Sequence, residues 1–216
     1  MPRSALFTAA AAVISLACSA QASPREVLVG GPCEGCEAVF EGRPAKLATR
    51  ARIAPAGEPG EPLVIEGVVT DAAKRPVAGV IVYAYQTDAK GEYPSTEAHR
   101  RTAKHRHGML RGFAQTDAQG RYAFETIRPA SYPVPNAPPQ HVHLHVVEPG
   151  RCHYYIDDLM FTDDPRLTPD LRARMDRGRG GSGVATPVKA RSGTWIARRD
   201  IVLGEKIADH DRCRSR

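Results

Sequence analysis

The stretch Ser131-Tyr132-Pro133-Val134-Pro135-Asn136-Ala137-Pro138-Pro139-Gln140-His141-Val142-His143-Leu144-His145-Val146 decides how the rest of the chain is read. Its second half alternates, and in an extended strand successive side chains point to opposite faces. Val142, Leu144 and Val146 therefore form one apolar face bound for a core, while His141, His143 and His145 form the other. Residues two apart on one face lie about 7 Å apart along the strand, so His141 and His143 can chelate a single metal ion. A His-x-His strand can equally present polar groups to water. The surrounding sequence separates the two readings.

Working outward, Leu63–Thr70 and Gly79–Gln86 are rich in β-branched residues and read as strands. Phe113–Thr116 and Arg121–Ile127 flank Asp117-Ala118-Gln119-Gly120, a hairpin turn signal. Cys36 leads through Glu37-Ala38-Val39-Phe40, which reads as a turn into a strand. Tyr154-Tyr155-Ile156 begins a short strand, and Thr194–Leu203 is the last. Leu167, Leu171 and Met175, spaced by four, predict one short helix within 165–176. Residues 88–111 form a long connection rich in His and Arg, in which His99, His105 and His107 read as solvated. The pattern predicts an all-β chain: a single β-sandwich domain over 63–216 with long loops and at most one short helix. Residues 23–62 form an N-terminal extension with a Cys-x-x-Cys turn.

Met1 to Ala22 has the form of a secretory signal peptide: Arg3, an apolar run from Ala5 to Ala17, then Ala20-Gln21-Ala22 before Ser23. The run is too short to span a bilayer. Lipidation at Cys18 ranks second, because Ser15 stands where a lipobox wants Leu. The chain is predicted to be exported. Four cysteines survive processing (Cys33, Cys36, Cys152 and Cys213), and an even number in an exported chain suggests disulfides of undetermined pairing. Cys33-Glu34-Gly35-Cys36 also fits a redox pair or half a zinc site, but zinc needs further ligands that the sequence does not place beside it. Net charge is +6 over 216 residues, scattered and not interleaved with aromatics, so nucleic acid is not an expected partner.

Further residues complete a pattern. Tyr85-Gln86-Thr87-Asp88-Ala89-Lys90-Gly91-Glu92-Tyr93 is followed by Arg111-Gly112, Thr116-Asp117 and Gly120-Arg121-Tyr122-Ala123-Phe124-Glu125-Thr126-Ile127-Arg128-Pro129. Then come Tyr132-Pro133, His141-Val142-His143 and Phe161-Thr162-Asp163-Asp164-Pro165. From about residue 63 to 165 the chain resembles the intradiol ring-cleavage dioxygenases. That resemblance implies one iron(III), Fe(3+), held by Tyr93 and His141 as equatorial ligands and Tyr132 and His143 as axial ones. It also implies a catechol-type substrate and O2, with the catechol displacing Tyr132, which then takes up a substrate proton. The product would be a muconate-type diacid. Taken alone, Tyr93 reads as a surface loop tyrosine and Tyr132 as a turn aromatic on Pro133. Two hard phenolate oxygens with two imidazoles do suit a trivalent metal. Many relatives associate, which leaves a homo-oligomer open.

Two positions depart from the pattern. Family members that cleave catechol carry Arg-Pro-x-His-x-His and a Gln fifteen residues past the second histidine. Here Pro138 and Asp158 stand at those places. A cation over the substrate would then have to come from Arg111 or from Arg100, Arg101 or Arg106. Ile65–Asp71 followed by Pro76–Val80 also suits a prealbumin-like binding module, the competing reading, which would hold iron or catechols without turnover.

Overall fold

A computed structural model describes residues 26–33, 35–102 and 106–214. The signal-peptide expectation for 1–22, its Cys18 alternative and His105 lie outside these residues. The elements in chain order are β1 (Val27–Leu28), β2 (Arg50–Arg52), β3 (Pro62–Thr70), β4 (Ile81–Tyr85), β5 (Arg111–Gln115) and β6 (Arg121–Ile127). They continue with β7 (His141–Glu148), β8 (Cys152–Phe161), α1 (Pro169–Met175), β9 (Val184–Ala185), β10 (Val188–Lys189), β11 (Trp195–Arg198) and β12 (Ile201–Val202). They form two sheets. The first runs β1-β8-β7-β4-β5, with β9 on β8. The second runs β10-β11-β3-β6-β2, with β12 on β3. This is the all-β sandwich that the strand pattern predicts, with one α-helix among the described residues.

Alternation builds the core. Val82 and Ala84 of β4, Val142, Leu144 and Val146 of β7, and Ile156 of β8 face inward from the first sheet. Leu63, Ile65, Tyr122, Phe124 and Ala197 meet them from the second. Complete burial of such side chains, each worth roughly 1.5–3 kcal/mol for the larger ones, holds the two layers together. β7 is central, paired antiparallel with both β4 and β8.

The first sheet is buried on its outer face too. A second apolar cluster there joins Ile81, Tyr83, Tyr85, Phe113 and Val147 to Val39 from the N-terminal segment. The described part of the 23–62 stretch contributes a strand to each sheet: β1 pairs parallel with β8, and β2 pairs parallel with β6.

Three local expectations change. Cys36–Val39 is a 3-10 turn, not the start of a strand, and its Val39 packs into the apolar cluster on the outer face of the first sheet. The strand containing Tyr154 runs for 10 residues, Cys152–Phe161. The acidic pair Asp157-Asp158 lies inside it, at a bulge. The last strand is split into β11 and β12. Between them Arg199 is 1% exposed and donates to the carbonyls of Gly180 and Asp200, at 3.1 and 2.7 Å. The Asp200 carboxylate accepts from the Val68 N–H at 2.9 Å and so replaces a ladder bond. The cysteines pair as Cys33–Cys36 and Cys152–Cys213, the latter tying the C-terminal 3-10 turn to β8.

Candidate metal centre

Two loops and one strand converge at the outer face of the first sheet. β4 ends at Tyr85, and the following turn is organised by Asp88, whose carboxylate accepts from the Lys90 and Glu92 N–H groups at 2.8 and 3.0 Å. The same turn is stitched to the loop before Tyr132. The Ala130 N–H donates to the Asp88 carbonyl, and the Thr87 hydroxyl donates to the Ala130 carbonyl. Gly91 has φ +83°, and a Cβ there would collide with the Ser131 carbonyl oxygen, so glycine permits the close approach. Tyr93 and Tyr132, 39 residues apart in sequence, are thereby set side by side. The buried Asp164 carboxylate accepts from the Gln140 N–H at 2.7 Å and fixes the entry to β7.

The structure brings together the four residues that the pattern singles out. Tyr93 Oη lies 2.9 Å from Tyr132 Oη and 2.8 Å from His143 Nε2. Tyr132 Oη lies 3.0 Å from His141 Nε2 and 3.4 Å from His143 Nε2. Two hydroxyl protons are thus shared among four donor atoms aimed at one another. Each imidazole has its other nitrogen anchored. His141 Nδ1 donates to the Pro139 carbonyl at 2.7 Å, and His143 Nδ1 donates to the Asp158 carboxylate at 2.8 Å. A carbonyl can only accept, so His141 carries its proton on Nδ1 and turns a bare Nε2 to the cluster. Burial, then the charge of His143, lowers the His141 pKa and keeps that imidazole neutral.

Burial pushes both phenols above their ordinary pKa, with the neighbouring phenol adding to the rise at Tyr93. Protein alone therefore keeps them protonated. A cation at the centre would reverse the balance, releasing both protons and making two hard anionic oxygens. Two such oxygens with two bare imidazole nitrogens fit a trivalent cation such as iron(III).

Asp158 occupies this place through the bulge. Val142 pairs with Leu159 and Leu144 with Ile156, so Asp157 and Asp158 together oppose His143. Ile156 and Leu159 both stay in the core while Asp158 turns outward to His143. Burial raises the Asp158 carboxyl, but His143 and the Tyr155 hydroxyl outweigh it and hold it below the usual carboxylate range. Tyr155 donates its hydroxyl to Asp158.

Sequence reading also missed His107. It reads as solvated but is 1% exposed, stacked on Tyr85 at 3.8 Å with its Nδ1 2.8 Å from Tyr83 Oη. Tyr85 in turn stacks on His143 at 4.4 Å. Aromatic spacing on β4 could have suggested Tyr85; nothing in the sequence directs His107 inward. Arg111 is not brought to the cluster. Its guanidinium donates to the Ala38 and Glu41 carbonyls and to Tyr83 Oη, and lies over the Tyr83 ring. Arg100 and Arg101 pair with Glu97 at the surface. Pro138 is exposed and supplies no charge.

Known proteins share this chain's sequence pattern and fold. A family model described as dioxygenase matches residues 37–179, about two thirds of the chain. The protocatechuate 3,4-dioxygenase beta chain of Burkholderia cepacia is 33% identical over 119 residues, covering 53% of this chain and 51% of that one. The hydroxyquinol 1,2-dioxygenase of Nocardioides simplex is 31% identical over 170 residues, covering 68% and 56%. The chain thus spans about half the length of these curated relatives. Among solved structures, the dioxygenase domain of a dioxygenase–carbohydrate-binding protein fusion from Streptomyces sp. SirexAA-E superposes with TM-score 0.53 at 25% identity, over 76% of this chain and 94% of that one. The chain belongs to the intradiol ring-cleavage dioxygenases, a family of non-haem iron(III) enzymes.

Proposed function

We propose that this chain is an exported iron(III) dioxygenase. It opens a catechol-type ring between the two hydroxylated carbons with O2, giving a muconate-type diacid. The observation that carries the reading is the convergence of Tyr93 Oη, Tyr132 Oη, His141 Nε2 and His143 Nε2 within hydrogen-bond distance of one another. Held by these four donors, iron(III) would supply Lewis acidity and one-electron chemistry toward a catechol and O2.

The residues divide the remaining work. Tyr93 and His141 stay as fixed donors: Tyr93 is anchored by the Asp88 turn and His141 by Pro139. Tyr132 sits on the proline-rich loop outside the sheets and would be the donor that gives way to the substrate. Its phenolate oxygen would take the proton of a substrate hydroxyl. His143 is held by Asp158, whose negative charge makes the imidazole a stronger donor. Tyr85, stacked between His143 and His107, walls the site on the sheet side and keeps water from that flank.

The buried Cys152–Cys213 disulfide supports an exported location. The Streptomyces domain belongs to a fusion with a carbohydrate-binding protein in a cellulolytic bacterium. That context supports a plant-derived catechol as the substrate class. Oxygen uptake with catechol and isotope-labelled dioxygen tests the reading. Stoichiometric uptake with both labelled atoms in an acyclic diacid is expected. Catechol binding without uptake would replace it with the non-catalytic binding module, the reading that Pro138 and Asp158 favour.

A further inference from the structure

The third outward histidine of β7 has no part in the tyrosine–histidine cluster. His145 is 1% exposed, and neither of its ring nitrogens has a hydrogen-bond partner. Tyr83, Tyr85, His107 and Tyr155 pack around the ring at centroid distances of 5.3–6.0 Å. They cover its faces and leave its nitrogens unmet. An imidazole always has a donor or acceptor at each nitrogen, and buried polar groups in native folds are almost always satisfied. Such an exception points to a ligand.

The ligand-bearing partner comes from the N-terminal segment. The sulfurs of Cys33 and Cys36 and a nitrogen of His145 all lie within 4.8 Å of one another. The turn that carries them is fitted to the sheet. Gly35 has φ +71°, where a Cβ would collide with His107 Nε2, and the Ala38 and Glu41 carbonyls accept from Arg111. The sulfurs are joined as a disulfide in this structure, with a Cα–Cα distance of 5.5 Å, and a disulfide offers a cation no anionic donor. A dithiol reductant would break the S–S bond, delivering two electrons and two protons to give two thiols while itself becoming a disulfide. Binding a metal then releases the thiol protons.

We propose that the reduced Cys33 and Cys36 thiolates, with His145, form a redox-gated site for a zinc-type divalent cation, one alternation along β7 from His143. Two thiolates and one imidazole are a donor set that zinc accepts, with room for a further ligand. Their softness separates the site from the neighbouring oxygen-rich cluster, which suits a trivalent ion. The Cys-x-x-Cys turn alone reads as half a zinc site; the fold supplies His145 as the missing ligand.

The test uses the full chain, reduced with a dithiol, desalted without air and titrated with Co2+ and then Zn2+. A near-ultraviolet thiolate-to-cobalt band is expected, saturating near one cobalt per chain and displaced by zinc. The oxidised protein should show no such band. Cys33→Ser and His145→Gln should each weaken cobalt binding by more than the roughly 10–100-fold that loss of an outer-shell partner costs. Circular dichroism confirms that the variants fold, and the comparison of reduced with oxidised wild type needs no variant. Absence of the band in reduced wild type overturns the proposal. So does a band that survives Cys33→Ser, which would place the thiolates at Cys152 and Cys213, or one indifferent to His145→Gln.

Discussion

The two faces of β7 are built by opposite rules. Val142, Leu144 and Val146 are fully buried against the second sheet, and any side chain of similar volume and shape would meet the same need. His141 and His143 on the other face are specified atom by atom: Pro139 orients one, Asp158 the other, and two tyrosines from separate loops meet their free nitrogens. One face tolerates conservative change, and the other tolerates almost none. A substitution inward should therefore cost stability and spare chemistry, while a substitution outward should do the reverse.

The largest expected effect is outward. His143→Ala should abolish iron retention on metal analysis, and combined with Asp158→Asn, which leaves no buried carboxylate unpaired, it should keep the apo thermal midpoint within a few degrees; a collapsed midpoint in the double variant would mean that the two faces are not separable. Inward, Leu144→Ala should destabilise by about 2–5 kcal/mol in urea unfolding, with the remaining folded fraction still binding iron. Asp158→Asn sharpens the outward rule, because it keeps the shape and removes the charge. Iron affinity should fall by roughly 10–100-fold, the usual cost of losing an outer-shell partner, and the visible band should shift. No change in either would reduce Asp158 to packing.

At the far end of β7, Glu148 is a buried carboxylate among His210, Tyr154 and Arg151. Burial raises its carboxyl, but His210 and the other partners outweigh that and set it below the ordinary value of 4.5. A depressed carboxyl stabilises the fold above its unfolded pKa and loses that contribution as pH falls through the folded value. The stability difference between wild type and Glu148→Gln should thus be flat from about pH 5 to 7 and shrink at lower pH. A difference that grows on acidification would contradict the assignment. The smallest effect is expected at Arg111. Arg111→Ala should leave iron content intact and speed proteolysis of residues 35–48, because the guanidinium braces that segment.

The four-residue cluster was legible because alternation places His141 and His143 on one face and the two tyrosines keep a recognisable order around them. Its supports were not. Only the mismatch of β7 and β8 register makes a bulge at Asp157-Asp158 and delivers a carboxylate. His107 lies in a stretch rich in charge, yet its inward turn depends on rings contributed by β4. Arg111 carries the right charge for a substrate partner; its direction is set by carbonyls 70 and 73 residues away. The inner face of the sandwich was readable from periodicity alone. Contacts that depend on one atom meeting another across distant segments were not.

The central claim, that Tyr93, Tyr132, His141 and His143 hold iron(III), is tested most directly by visible absorption alongside an iron assay of the purified protein. Iron approaching one per chain is expected, with a wine-red tyrosinate charge-transfer band that Tyr93→Phe removes and anaerobic catechol shifts to the red. A protein that stays colourless after iron loading would contradict the assignment of all four ligands.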